Sequence, residues 1–201
     1  MPLRYGDILM KRTKILVADD DRVTLSVMTT GLRKAGYEVI AAMDGDDAVR
    51  LGCAERPELA VLDVRMPGLF GIEAARRLRR DAGIDCIFLS AYADRELVEL
   101  AIAEGALGYL VKPVNSTQLI PAVKAAIERS AELRRLQEAE VSLTHAIETN
   151  REISVAIGIY MERFDVSREQ AIEALRGMAR PQRRKLVDVA RELIRSSRGK
   201  T

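Results

Sequence analysis

The sequence has no tryptophan, three phenylalanines and five tyrosines, so any core it builds is aliphatic. With a single histidine, His145, and two cysteines, Cys53 and Cys86, neither a His/Cys metal cluster nor a Ser-His-Asp triad has the residues it needs. Two cysteines are also too few for a disulfide framework. Both thiols read as buried apolar side chains in a reducing compartment. No apolar run approaches the ~20 residues of a membrane span, and the first residues carry no signal-peptide pattern. The expectation is a soluble cytoplasmic protein with no membrane partner.

What is present is a 201-residue chain with 48% apolar content, enough for one ordinary domain and a smaller one. The net charge of +2 is unevenly spread. Residues 1–132 hold 18 Lys/Arg against 20 Asp/Glu, and residues 133–201 hold 14 against 10, so the two parts carry −2 and +4. The second part is therefore the candidate for a polyanionic partner.

Residues 1–13 lack periodicity and read as a loose, basic leader. From Lys14 short apolar runs alternate with amphipathic stretches. Strands are predicted at Ile15–Ala18, Glu38–Ala42, Leu59–Leu62, Cys86–Leu89 and Tyr109–Val111. Helices follow over Val23–Ala35, Gly45–Glu55, Ile72–Arg80, Glu96–Glu104 and from Ser116. Five βα units imply a doubly wound parallel sheet with helices on both faces. The last of these helices keeps its three- and four-residue apolar spacing through Leu119, Val123, Ala126, Ser130, Leu133, Leu136, Leu143 and Ile147. Over 131–150 this reads as a coiled-coil linker, which needs a second chain to bury its seam, so a homodimer is expected. The alternative is a helix that folds back on its own chain. Pro121 is a misfit within the helix, because its ring should disturb the preceding turn. The rest is helical: one helix runs to about Arg163, a second starts at the capping box Ser167-Arg168-Glu169-Gln170, and a third carries Leu186, Val187, Val189, Ala190, Leu193 and Ile194. Residues 197–201 read as a disordered tail.

The chemistry is concentrated at predicted strand ends. Asp63 closes the third apolar run and is followed by Pro67, Gly68 and Gly71, so it stands where a strand stops. In a parallel sheet, that is where ligands bind. Asp19, Asp20 and Asp21 follow the first strand. Taken alone they fit a solvated loop with Asp21 as a helix N-cap. Beside Asp63 they form a carboxylate cluster that needs a cation, and an open site of hard oxygen donors suits Mg²⁺. Ser90 ends the fourth strand and Lys112-Pro113 the fifth. An ammonium there can neutralise a carboxylate or a phosphoryl oxygen, and the proline is a candidate cis bond.

Ile15-Leu16-Val17-Ala18-Asp19-Asp20-Asp21, Asp63-Val64-Arg65-Met66-Pro67 with Gly71, Leu89-Ser90-Ala91 and Gly108-Tyr109-Leu110-Val111-Lys112-Pro113 agree in order and spacing with one family. Residues 14–130 resemble a response-regulator receiver domain, with its five-stranded, flavodoxin-like sheet. The resemblance implies that Asp63 is the phosphoacceptor for a sensor histidine kinase or a small phosphodonor. It implies that Asp20 binds Mg²⁺ directly, that Asp19 binds it mainly through water, and that Asp63 and the backbone carbonyl of Arg65 complete the ligands. Ser90 and Lys112 would hold phosphoryl oxygens, and Tyr109 would swing inward on activation. The expected output is a shifted face around 96–104, 109–111 and the start of the following helix.

Ala156-Ile157-Gly158-Ile159-Tyr160-Met161-Glu162-Arg163, Val166-Ser167 with Ala171, Leu175-Arg176 and Ala179, and Arg184-Lys185-Leu186-Val187-Asp188-Val189-Ala190 form a second pattern. Residues 143–196 resemble the ANTAR domain, a three-helix RNA-binding module of transcription antiterminators. That family usually has a lysine where this chain has Ile157. Judged as residues, Ala156, Gly158 and Met161 read as packing positions between helices. Arg151, Arg163, Arg176, Arg180, Arg183, Arg184 and Lys185 are the candidates for salt-dependent phosphate contact. Tyr160 and Phe164 could stack on unpaired bases. Together the two resemblances imply a phosphorylation-dependent, two-component regulator that binds hairpin RNA and promotes antitermination, and no stand-alone enzyme. A DNA-binding output and a protein-sequestering output remain open alternatives.

Overall fold

The computed structural model describes residues 13–91, 99–100, 103–181 and 184–198. Most of the leader, the greater part of the helix expected over 96–104, Arg183 and residues 199–201 lie outside the described residues. The chain divides into two compact units, 1–133 and 134–201.

In the first unit, strands β1 (Lys14–Ala18), β2 (Glu38–Ala42), β3 (Leu59–Asp63), β4 (Asp85–Ser90) and β5 (Gly108–Val111) form one parallel sheet in the order β2-β1-β3-β4-β5. Helices α1 (Arg22–Lys34), α2 (Gly45–Glu55), α3 (Gly71–Ala82) and the first turns of α4 (Ser116–Phe164) cover it. Alternation along each strand sends neighbouring residues to opposite faces. Leu16, Ala18, Ala60, Leu62 and Phe88 meet Ala48, Ala74, Ala75 and Leu78 of α2 and α3. Ile15, Val17, Leu59, Val61, Ile87 and Leu89 meet Leu25, Met28 and Leu32 of α1 and Leu119, Val123 and Ala126 of α4. A sheet buried on both faces explains why the strands read as unbroken apolar runs.

The first two helices start at aspartate side-chain caps. Asp21 accepts the Val23 N–H at 2.9 Å, and Asp44 accepts the Asp47 N–H at 2.7 Å. α4 continues across Pro121. The carbonyl that loses its N–H partner there belongs to Thr117, one turn earlier and exposed, where water can replace the bond. Both cysteines are free, but only Cys86 is buried, and burial pushes its thiol up to about 12; Cys53 is half-buried, less than the sequence suggests.

The second unit holds the rest of α4, α5 (Arg168–Ala179) and α6 (Leu186–Arg198). α4 ends where Asp165 takes a positive φ of 50°. α5 opens with a reciprocal cap, Ser167 Oγ accepting the Gln170 N–H and Gln170 Oε1 accepting the Ser167 N–H. Ala156, Ile157, Ala171, Leu175, Ala179, Val189 and Ala190 form a small aliphatic core. α6 runs to Arg198, through Ser197, which the sequence places in the tail. Ser196 and Ser197 hydroxyls donate to the Leu193 and Ile194 carbonyls at 2.8 Å, satisfying acceptors of the last turn.

Candidate functional site

The sheet order reverses direction at β1: the chain leaves it for β2 on one side and returns for β3 on the other. That switch point opens a crevice at the carboxyl ends of β1 and β3. Asp19 follows β1, and Asp63 is the last residue of β3. Asp19 is fully buried, Asp63 is 5% exposed and Asp20 faces solvent. One carboxylate oxygen from each lies within 4.8 Å of the others.

Lys112, just past β5, reaches into this cluster. Its Nζ donates to Asp63 Oδ2 at 2.7 Å and lies 2.7 Å from Asp19 Oδ2. The second contact compensates charge without hydrogen-bond alignment, so Asp19 Oδ2 is buried with no hydrogen-bond partner. Asp19 Oδ1 accepts the Asp21 N–H at 3.0 Å, and the Arg65 N–H makes a long 3.4 Å contact to Asp63 Oδ1. Burial pushes the Asp19 carboxyl above the usual carboxylate range, outweighing Lys112 and the Asp21 N–H. Burial works against the Lys112 ammonium, but the carboxylates of Asp19 and Asp63 beside it prevail and hold its pKa above the ordinary value. The Lys112–Pro113 peptide is cis.

The donor set fits Mg²⁺: hard oxygens, one of them buried without a hydrogen-bond partner, and an exposed Asp20 on the open side where coordinated water has room. Ser90 ends β4 as a buried residue, and its carbonyl accepts the Lys112 N–H at 2.7 Å. Tyr109, in β5, is partly buried against the core. Asp21 does not join the cluster, because its carboxylate is committed to Val23 N–H and Thr24 Oγ1.

Gly71, named in the sequence as a residue of the loop after Asp63, has a structural part in the site as well. A Cβ at that position would overlap the backbone oxygen of Asp63 and lie 2.9 Å from its carbonyl carbon. The first turn of α3 therefore packs directly on the backbone of the buried aspartate. The signal was available, as a glycine at a fixed distance after Asp63, but its meaning depends on contact geometry.

In the second unit, Arg151, Arg163, Arg176, Arg180, Arg184 and Lys185 are all exposed. Their surroundings differ. Arg176 pairs with Glu173 at 3.0 Å and Arg184 with Glu192 at 2.8 Å. The Arg163 guanidinium lies 5.8 Å from the Phe164 ring centroid, and Tyr160 packs on the same ring at 4.4 Å. Phe164 is 51% exposed, while Tyr160 belongs partly to the bundle core. Arg183 lies outside the described residues.

Of the three positions read as packing residues, Ala156 is fully buried and Met161 is half-buried, but Gly158 is exposed. A Cβ there would meet nothing within 4 Å, so close helix approach is not what this glycine provides in the chain. Ile157 is 5% exposed and part of the core. Ile157→Lys is expected to lower the stability of the second unit by about 2–3 kcal/mol, since an ammonium would replace a buried apolar side chain. Urea unfolding followed by circular dichroism checks this, and an unchanged midpoint would mean that the stem carries the charge out to water.

A doubly wound parallel domain with an acidic, lysine-bridged crevice at its switch point has the architecture of a receiver domain. Residues 15–124 match the response regulator receiver domain, and residues 142–194 match the ANTAR domain. The chain belongs to the response regulators of two-component systems, with a receiver domain followed by an ANTAR domain. It is 30% identical to the transcriptional regulatory protein PdtaR of Mycobacterium tuberculosis over 194 residues, 96% of this chain and 94% of that protein. It is 33% identical to the DNA-binding response regulator MtrA of Mycolicibacterium paratuberculosis over 146 residues, 70% of this chain and 65% of that protein. A receiver domain from Clostridium thermocellum superposes with a TM-score of 0.57 at 31% identity, covering 60% of this chain and 98% of that one. The two domains imply a phosphodonor kinase and an RNA as partners, and fit a regulator rather than an enzyme. Among the described residues no helix is long and apolar enough to cross a membrane.

Proposed function

We propose that this chain is a phosphorylation-controlled antitermination regulator. The observation that carries the reading is the Lys112 ammonium held 2.7 Å from both Asp19 and Asp63, beside exposed Asp20, in a chain whose C-terminal residues match an ANTAR domain. An Asp63 carboxylate oxygen forms a bond to phosphorus as the N–P bond of a sensor kinase's phosphohistidine breaks. Lys112 then holds a phosphoryl oxygen in place of the carboxylate oxygens it now contacts, and Ser90 supplies a hydroxyl to another. Mg²⁺ bound by Asp20, Asp63, the Arg65 carbonyl and, through water, Asp19 would neutralise charge on the transferring group. Positioning is most of what the protein contributes to such a transfer.

On this reading, Ser90 and Tyr109 pass the change to β5 and the first turns of α4. The coiled-coil linker over 131–150 then pairs two copies. In support, Leu136, Leu143 and Ile147 are 59–64% exposed along α4, and their spacing of seven and four puts them in one row of apolar side chains that a second helix would cover. Two second units, each with its basic residues, would hold hairpin loops in a nascent transcript and keep a terminator from forming.

Binding of the full chain to a two-hairpin RNA and to duplex DNA, across salt and with and without a phosphoryl mimic at Asp63, tests the reading. The expected result is preference for structured RNA, strengthened by the mimic. No RNA preference in either state would overturn the RNA output and leave a receiver with another effector.

A further inference from the structure

Part of the positive charge of the second unit gathers in a cleft to which the sequence pointed through Arg151 alone. Arg176 and Arg184, two of the residues expected to meet RNA, already have carboxylate partners. Between α4 and α6 lies an open cleft of about 590 Å³ lined by Arg151, Glu152, Val155, Arg191, Ile194 and Arg195. Three guanidiniums against one carboxylate leave it a net charge of +2. Glu152 Oε2 accepts from Arg191 Nε at 2.8 Å, which fixes that guanidinium against the wall. Arg151 and Arg195 are exposed and make no ion pair among the described residues. The floor between them is apolar: Val155 is 45% exposed, and Ile194 is half-buried.

Guanidinium forks suit phosphate oxygens, and an apolar floor between two of them suits the flat face of a ribose or an unstacked base. A simple anion would leave that floor wet. We infer that this cleft is a phosphodiester-binding site for RNA, in which Arg151 and Arg195 grip backbone phosphates and Arg191, held by Glu152, is a positioning residue that shapes the wall. The inference rests on the RNA-binding reading above and assigns it a surface that includes two arginines, Arg191 and Arg195, spaced by four along α6 so that they share one face.

The test uses the full chain and a synthetic two-hairpin RNA, with the dissociation constant measured over a range of salt. The variant is Arg151→Ala with Arg195→Ala, and a companion changes both residues to lysine. The alanine pair is expected to weaken binding on the order of tenfold at moderate salt and to lower the slope of log K against log salt by about 1 to 2, as two phosphate contacts are lost. The lysine pair, which keeps the charge, should keep most of the slope. Thermal unfolding should match the parent, because neither side chain has a partner among the described residues; an Arg→Gln pair replaces the alanines if helix content falls. Unchanged affinity and slope in a variant chain whose parent binds RNA would overturn the cleft assignment alone. Loss of self-association with RNA affinity intact would overturn it too, making the cleft a protein interface. A parent chain that binds no RNA would sink both the cleft and the RNA output.

Discussion

Asp63→Asn is expected to reduce phosphoryl incorporation from a small phosphodonor by on the order of a thousandfold or more, because it removes the nucleophile itself. The amide keeps the shape of the side chain and an oxygen that can still accept from Lys112. The core that surrounds the residue, Leu62, Val61 and Leu89, is untouched. The fold should therefore survive and separate loss of chemistry from loss of structure. One negative charge disappears from a cluster in which a single ammonium faces Asp19 and Asp63. Divalent-cation affinity should fall with it, since one hard anionic ligand of three is gone. Intact-protein mass after incubation with the phosphodonor reads the first effect, and Mg²⁺ titration reads the second. Undiminished labelling would place the phosphoacceptor elsewhere and refute the assignment of Asp63.

Gly71→Ala is expected to destabilise the receiver by about 3 kcal/mol, lowering its melting temperature by about 10 °C. The obstacle to the new methyl is backbone: the carbonyl of Asp63, with the Val64 Cα 3.2 Å from the added carbon. A flexible side chain could swing away, but these atoms belong to the end of β3 and to the turn closed by the Gly71 N–H and the Val64 carbonyl. Relief requires α3 to retreat or the end of β3 to move. Either displaces Asp63 from Lys112, so the folded fraction should also take up phosphate more slowly. Thermal unfolding together with the rate of phosphoryl incorporation checks both. A variant with parental stability would show that the close approach is softer than the contact implies.

The elements were legible because the forces that set them are local. Apolar runs of four or five residues, the acid at the end of β3 and the reciprocal cap at Ser167 are written in adjacent residues, and the structure differs from them mostly by a residue at each end. The acidic crevice could also be anticipated, because five βα units admit few topologies and all strand ends of a parallel sheet share one edge. Side-chain surroundings were harder. Gly158 reads as a packing glycine from its neighbours but faces open space. Ile157 stands where the family usually has a lysine, and here the position is core. The arginines look alike in sequence, and their standing is set by acids far along the chain or across a helix turn.

Local signals along the chain set the succession of strands and helices, the placing of Asp19, Asp20, Asp63 and Lys112 at strand ends, and the basic bias of the second unit. These depend on periodicity, turn residues and charge, which act over a few residues. It took the packed fold to place one ammonium between two carboxylates 93 and 49 positions away in the chain. It alone set Gly71 against the Asp63 carbonyl, and left Arg151 and Arg195 open while Arg191 pairs with Glu152. Contacts between residues distant in the chain are fixed by how the faces of whole elements pack, and no local signal carries that.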